Sequence, residues 1–437
     1  MINTILLKEI IVNHKKIFLN KKKLFQREIL NNFYNKYKKL REVLVITGIR
    51  RCGKSSLMRL IWDEFSQKEK IGNEQFFYLN FEDERFVDFD YHDFSKILDV
   101  YYELNNPQKN KKIFLFLDEI QNIKYWEKWI NRLYEEDKYK IFITGSNATL
   151  LSSELATNLT GRNLCINLYP LSFYEYLVYF KEFALKKDSF FAIKSKAKIK
   201  NILEEYIEFG GMPEYIKNRQ TELIQEYFKN IIMRDIVNRY NIRYKSSLHE
   251  LAHILLANLC QISSLEKLRR ITKIKNINTV KNYLDYLENS FLFSRLSLFS
   301  FSYKTQVYNP DKIYCCDLGF FNSIAFQAIA NQGIFYENLV FTHLKAMYEE
   351  IFYYKDKNNY EVDFLTKHKN KITNLIQVSY IFKNQETIDR EERSLINAMD
   401  EFNLGESFII NKDIDEEKKI GRKKIIYKPL WKFLLER

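Results

Sequence analysis

Eight residues constrain this chain more than any others: Gly48-Ile49-Arg50-Arg51-Cys52-Gly53-Lys54-Ser55. They fit the pattern GxxxxGK[ST]. They also stand where that pattern works, after an apolar run at 43–47 and before a helical period starting near Lys54. The physical demand is narrow. Glycine lets the backbone turn so that successive N–H groups point inward around an anion. The helix that follows adds the positive end of its dipole. Lys54 then neutralises β- and γ-phosphate oxygens, and the Ser55 hydroxyl takes a position on Mg²⁺. Ile49, Arg50, Arg51, Cys52 and Ser56 complete the stretch expected to wrap the phosphates. Arg50 and Arg51 rank below Lys54, because they can equally face a neighbour.

Further apolar runs at 76–79, 113–117 and 141–144 alternate with helical patterns across 41–168. That alternation reads as an α/β fold with a parallel sheet. The run at 113–117 ends in Asp118 and Glu119. Asp118 is expected to hold Mg²⁺, and Glu119 to orient and deprotonate the attacking water. A carboxylate pair at this point favours hydrolysis over transfer to an acceptor. The run at 141–144 ends in Gly145-Ser146-Asn147, where a polar side chain can reach the γ-phosphate. Asn147 is slightly preferred to Ser146, and a helix cap is the plainer alternative. Arg162 is the candidate to stabilise transition-state charge, from its own or a neighbouring chain. A surface arginine or a sheet salt bridge is the alternative.

The 437 residues suggest about three domains. With 46% hydrophobic residues the chain can bury several cores, and 11 Gly and 5 Pro exclude collagen-like or linker compositions. No apolar run approaches the roughly 18 residues that cross a bilayer. No signal peptide is read at the N-terminus, so a cytoplasmic protein without a membrane role is expected. The five cysteines show neither disulfide nor zinc spacing. The net charge of +13 admits nucleic acid or an anionic membrane surface as a partner. The joint richness in Lys, Asn, Ile, Tyr and Phe is also what an AT-rich genome writes into any protein.

Taken together, GIRRCGKSSL, FLDEIQNI, ITGSNATLLS, LTGRN and YPLSFYEYL resemble the bacterial and archaeal AAA-type ATPases that carry a C-terminal domain of unknown function. GGMPEY at 210–215, KIYCCDLGF at 312–320, FYENLVFTHL, YEVDFL and LIQVS continue the likeness in order. The resemblance implies an AAA-type P-loop core, a winged-helix segment and a restriction-endonuclease-like α/β tail. The expected layout is a helical leader at 1–40, the ATPase core at 41–170 and a helical lid or connector at 171–245. A winged-helix-like domain at 246–325 and the tail at 326–437 complete it. ATP and Mg²⁺ are the implied cofactors, and a homo-oligomer the implied state.

The residues of the later segments can be read directly. In 263–293, Ser264 can cap a helix with Leu265, Leu268 and Ile271 on one face. Asn278 can cap a second helix with Val280, Tyr283, Leu284 and Leu287 inward, a helix-turn-helix pattern. Lys267, Arg269, Arg270, Lys273, Lys275 and Lys281 would supply DNA phosphate contacts. A small helical domain that packs internally or meets a protein partner fits equally well. A restriction-endonuclease-like nuclease needs a helix Glu, a strand Asp, then Glu or Gln, one residue, and Lys. Glu337, Asp363 and Gln377 match, but Ser379 replaces the lysine, and Lys383 lies four residues further on. Losing that cation removes transition-state stabilisation. The tail is therefore expected to be catalytically degenerate, with Glu337 and Asp363 structural. The expectation for the whole chain is ATP hydrolysis coupled to the C-terminal domains, acting on DNA. The alternatives are an ATP-controlled signalling or defence switch around a protein partner, and a DNA-binding regulator with little turnover.

Overall fold

The four apolar runs of the first 170 residues become strands of one sheet: β1 (Val43–Thr47), β2 (Phe76–Asn80), β3 (Ile113–Asp118) and β4 (Tyr139–Gly145). A fifth strand, β5 (Asn163–Asn167), joins at the edge. The order is β2-β3-β4-β1-β5, and every neighbouring pair is parallel. Strands covered on both faces have no polar side to show, which is why β1, β3 and β4 read as continuous apolar runs and are buried throughout. This order sets the C-terminal ends of β1, β4 and β3 side by side, the place where open α/β sheets bind ligands. The structure, a computed structural model, describes residues 2–20, 24–147, 161–325, 332–382 and 384–436. They divide into two units, Met1–Tyr169 with Asn289–Phe291, and Pro170–Glu288 with Leu292–Arg437.

In the first unit the leading helix Thr4–Leu19 turns Leu7, Ile10, Ile11, His14 and Phe18 inward. Phe18 stacks on Tyr78 of β2 with ring centroids 4.2 Å apart. His14 accepts the Asn80 N–H at Nδ1 (3.2 Å) and faces Asp83 through Nε2 (2.8 Å). Burial, partly offset by Asp83, lowers the imidazole pKa, so the ring is a neutral bridge rather than a charge.

The second unit begins with helices. At the start of the 171–245 stretch expected to be a helical lid or connector, Phe173–Glu175 and a π-turn, Tyr176–Phe180, are helical. Helices Leu265–Thr272 and Ile277–Asn289 appear where the periodicity put them, and Ser264 accepts the Lys267 N–H as expected. Two details differ. Ile271 faces out at 44% exposure, while Thr272 turns inward and donates its hydroxyl to Leu268 O (2.8 Å). Asn276, not Asn278, offers the capping side chain, accepting the Asn278 N–H (2.8 Å).

Three short strands, β6 (Ile262–Ser263), β7 (Phe293–Leu296) and β8 (Asp311–Cys315), pair antiparallel in the order β6-β8-β7. The tail forms a six-stranded mixed sheet from β9 (Glu350–Lys355), β10 (Glu361–His368), β11 (Lys371–Val378), β12 (Glu406–Asn411), β13 (Glu416–Ile420) and β14 (Lys423–Pro429). Its order is β13-β14-β12-β11-β10-β9, with helices Gln332–Met347 and Gln385–Glu401 packed against it. The two sheets of this unit are stitched together, because Phe299 N–H donates to Tyr353 O (2.7 Å) and Tyr353 N–H to Ser297 O (3.1 Å).

Two sequence motifs meet in this unit. The Gly211 N–H donates to Asp317 Oδ2 (2.6 Å) and the Gly319 N–H to Asp317 Oδ1 (2.8 Å). Gly210 has φ +69°, and a Cβ there would lie 1.9 Å from Asp317 Oδ1, so only glycine fits. Burial pushes the Asp317 carboxyl up to about 7.

Candidate active site

The 48–55 loop leaves β1 and enters the helix Lys54–Glu69. Gly48 has φ +149°, and a Cβ there would meet Leu168 O at 2.1 Å. Gly53 caps the helix with φ +105°. Having no side chain, it leaves the first-turn amides without a side-chain acceptor, and that turn carries no acidic residue. The loop is thus an anion cradle with a helix dipole behind it. Ile49 and Cys52 anchor it by burial, and Cys52 Sγ lies 3.4 Å from Leu168 O. Arg51 is exposed with φ +71°, and Arg50 pairs with Glu82 (2.8 Å). Ser55 and Ser56 sit half-buried in the helix's first turn.

Lys54 is 5% exposed and folds back over its own loop. Its Nζ donates to Gly48 O (3.0 Å) and Ile49 O (3.3 Å) and stands 3.6 Å from Glu119 Oε1. Asp118 ends β3 buried, accepting hydroxyl hydrogen bonds from Tyr78 at Oδ2 (2.8 Å) and from Thr144 at Oδ1. Glu119 takes φ +51°, its N–H donating to Thr144 Oγ1 (2.9 Å) while Gln121 Nε2 donates to its Oε2 (2.6 Å). Burial raises the Glu119 pKa, but Lys54, Arg50 and hydrogen bonds from Gln121 and Ser146 outweigh it and leave the carboxyl below its ordinary value. The result is an oriented carboxylate beside a buried cation and the 48–55 loop.

The structure therefore sets Lys54 3.6 Å from Glu119, at the ends of two strands that flank β4, with Asp118 tied to Glu119 through Thr144 and Ser55 next to Lys54 in the helix's first turn. Ser146 joins them through Glu119. Asn147 is fully buried at the end of β4. The motif residues 148–160 that follow it lie outside the described residues. Arg162 is not brought to this place. Val43 pairs with Asn163, so Arg162 stands at the opposite end of the sheet from the loop. There it binds Asn131 (2.5 Å) and Glu135 (2.6 Å).

Residues outside the motifs complete the site. Arg27, 6% exposed, donates from Nη1 to Cys52 O (3.1 Å) and from Nη2 to Tyr169 O (2.7 Å), clamping the loop from the leader. Nothing in local spacing marks it. Thr144 was visible inside a quoted motif, but its role in holding both Asp118 and Glu119 was not.

Residues 40–177 match an AAA domain family, 200–330 a domain of unknown function (DUF8612), and 332–432 a second one (DUF4143). An uncharacterized protein of Methanocaldococcus jannaschii is 35% identical over 414 residues, spanning 92% of this chain and 87% of that relative. An uncharacterized protein of Haemophilus influenzae is 30% identical over 351 residues, spanning 77% and 82%. Among solved structures, the Aeropyrum pernix ORC1 protein in complex with DNA is similar over 71% of this chain and 96% of that one, at 9% identity and TM-score 0.34. The replication initiator DnaA bound to AMPPCP and single-stranded DNA is similar over 62% and 93%, at 16% identity and TM-score 0.29.

Proposed function

The chain belongs to the family of AAA-domain proteins that these archaeal and bacterial relatives share, and from that premise we propose that it binds ATP with Mg²⁺ and hydrolyses it. One observation carries the reading: the Glu119 carboxyl stands 3.6 Å from Lys54, at the end of β3, with only β4 between that strand and the one that leads into the 48–55 loop. Lys54 exchanges the Gly48 and Ile49 carbonyls for phosphate oxygens. Glu119 accepts a proton from the water that attacks the γ-phosphorus in line, and ADP leaves. The Ser55 hydroxyl and Asp118 are the hard oxygen donors that would hold Mg²⁺, whose charge offsets that of the phosphates. Asn147 is the candidate to read the γ-phosphate. Arg162 can serve only a neighbouring chain, so its use in catalysis requires a homo-oligomer. Retention of no adenine nucleotide by the purified chain with Mg²⁺ would sink this reading.

Nucleotide state is proposed to be coupled to the lid or connector at 171–245, the winged-helix-like segment at 246–325 and the restriction-endonuclease-like tail at 326–437, in the cytoplasm. DNA is the partner we favour. Arg269 and Arg270 are already paired with Glu266, which leaves Lys267, Lys273, Lys275 and Lys281 as the phosphate contacts. The rival is a switch that assembles around a protein. Turnover measured with duplex and single-stranded DNA at two salt concentrations separates them. Stimulation that fades with salt supports DNA, and no stimulation supports the protein partner.

A further inference from the structure

The lysine missing from the tail's own strand is supplied from elsewhere, and in an unexpected position. Lys312 lies on β8, outside the six-stranded sheet, and is 3% exposed as a whole residue. Its Nζ stands 3.0 Å from Glu337 Oε1, 2.7 Å from Glu361 Oε1 and 3.0 Å from Asp363 Oδ1. Glu337 and Asp363 are the carboxylates that would hold a divalent ion in a restriction-endonuclease-like centre.

The surrounding atoms are occupied as well. Tyr314 OH donates to Glu337 Oε1 (2.8 Å), and the Val378 N–H donates to Asp363 Oδ2 (2.9 Å). Gln377 accepts the Asp363 N–H (3.2 Å) and donates to Glu391 Oε2 (2.7 Å). Lys355 pairs with Glu361 (3.2 Å) and Arg390 with Glu391 (2.6 Å). Glu337, Glu361, Asp363 and Glu391 are thus opposed by Lys312, Lys355 and Arg390, which nearly cancels the charge.

We propose that the ammonium of Lys312 occupies the place of the divalent cation, so that the tail binds no such ion, cleaves no phosphodiester and serves as a charge-paired joint between β8 and the tail sheet. The inference rests on the restriction-endonuclease-like reading of the tail only for where an ion would sit. A divalent ion binds carboxylate oxygens at about 2.0–2.6 Å. An ammonium bonded to the same oxygens of Glu337 and Asp363 fills that space, and two cations would repel there. Expelling Lys312 would strand its charge in the interior, which is unfavourable. The Asp363 side chain is only 9% exposed, so a polymer phosphate has little access to it. Among the described residues, no group of three His, Cys, Asp or Glu side chains is placed to hold a metal ion. Lys383 lies outside the described residues, and this arrangement does not need it.

The test is Mn²⁺ titration of the nucleotide-free full chain, followed by electron paramagnetic resonance, in a Ser55→Ala background that silences the phosphate loop. The expected result is that adding Asp363→Asn changes Mn²⁺ binding by less than one equivalent. Adding Lys312→Met should create one new site, lost again when Asp363→Asn is combined with it. An Mn²⁺ ion bound in the background chain and lost with Asp363→Asn overturns the proposal. So does Mn²⁺-dependent plasmid cleavage abolished by Asp363→Asn, or a folded Lys312→Met chain that gains no site. If Lys312→Met does not fold, the comparison of the background chain with Asp363→Asn still decides. Loss of the ATPase reading would show as absent nucleotide binding by the wild-type chain and would leave these outcomes untouched.

Discussion

Lys54 and Lys312 are both almost completely buried beside carboxylates, yet they are built for opposite purposes. Lys54 rests on two carbonyls of its own loop, with Glu119 at 3.6 Å. Lys312 is enclosed by three carboxylates at 2.7–3.0 Å, and burial, which would lower its pKa, is overridden by Asp363, Glu337 and Glu361, so it is held firmly charged. Carbonyls at the rim of a loop can be given up for phosphate oxygens. Buried carboxylates cannot be given up, because each would be left as an unpaired charge. A buried lysine beside acids is therefore a ligand-binding group only where its present partners are replaceable.

Substitutions can break this contrast. Lys54→Ala should abolish ATP binding measured by calorimetry, while leaving the melting of the carboxy-terminal unit unchanged. Wild-type affinity in that variant would remove Lys54 from the cradle. Glu119→Gln should lower turnover by about 10²–10⁴-fold while ATP stays bound, as single-turnover assays would reveal. Undiminished turnover would mean that another base serves. Lys312→Ala should cost about 3–5 kcal/mol in urea denaturation, because it strands buried carboxylates, with ATP affinity unaffected. A loss under about 1 kcal/mol would mean that the cluster is not a joint. Smaller still, Tyr78→Phe removes one hydrogen bond to the Asp118 carboxylate and should cost about 1.5–3 kcal/mol.

The pH profile sharpens the same comparison. The Glu119 carboxyl sits below its ordinary value of 4.5, so the base is ionised above that pH and is lost only as pH falls through its lowered pKa. Turnover should therefore hold down to about pH 5 on the acid side, provided that the chain stays folded. An acid limb near neutrality in a folded sample would place a different group in the base's role.

The site was legible where its chemistry is carried by contiguous residues. The 48–55 loop, the strand end at Asp118 and Glu119, and the strands themselves follow from spacing and apolar runs. The helix pair was legible too, apart from the cap shifting from Asn278 to Asn276 and the outward turn of Ile271, both settled by packing. Arg27 was not, because its reach to Cys52 and Tyr169 joins segments that no local pattern relates. The glycine pair at 210–211 and Asp317 were each noticeable, but nothing in the chain said that one receives the other.

By itself the sequence determined a glycine-bounded turn between a buried strand and a helix, with two acids at the end of another strand. Such features need only backbone geometry and the two-residue or 3.6-residue repeat of side chains. Tertiary structure alone decided that Arg162 lies away from the loop, and that Lys312 reaches Glu337 and Asp363 across 25 and 51 residues of chain. Strand order and register fix those meetings. They depend on how whole elements pair, information that no stretch of sequence holds locally.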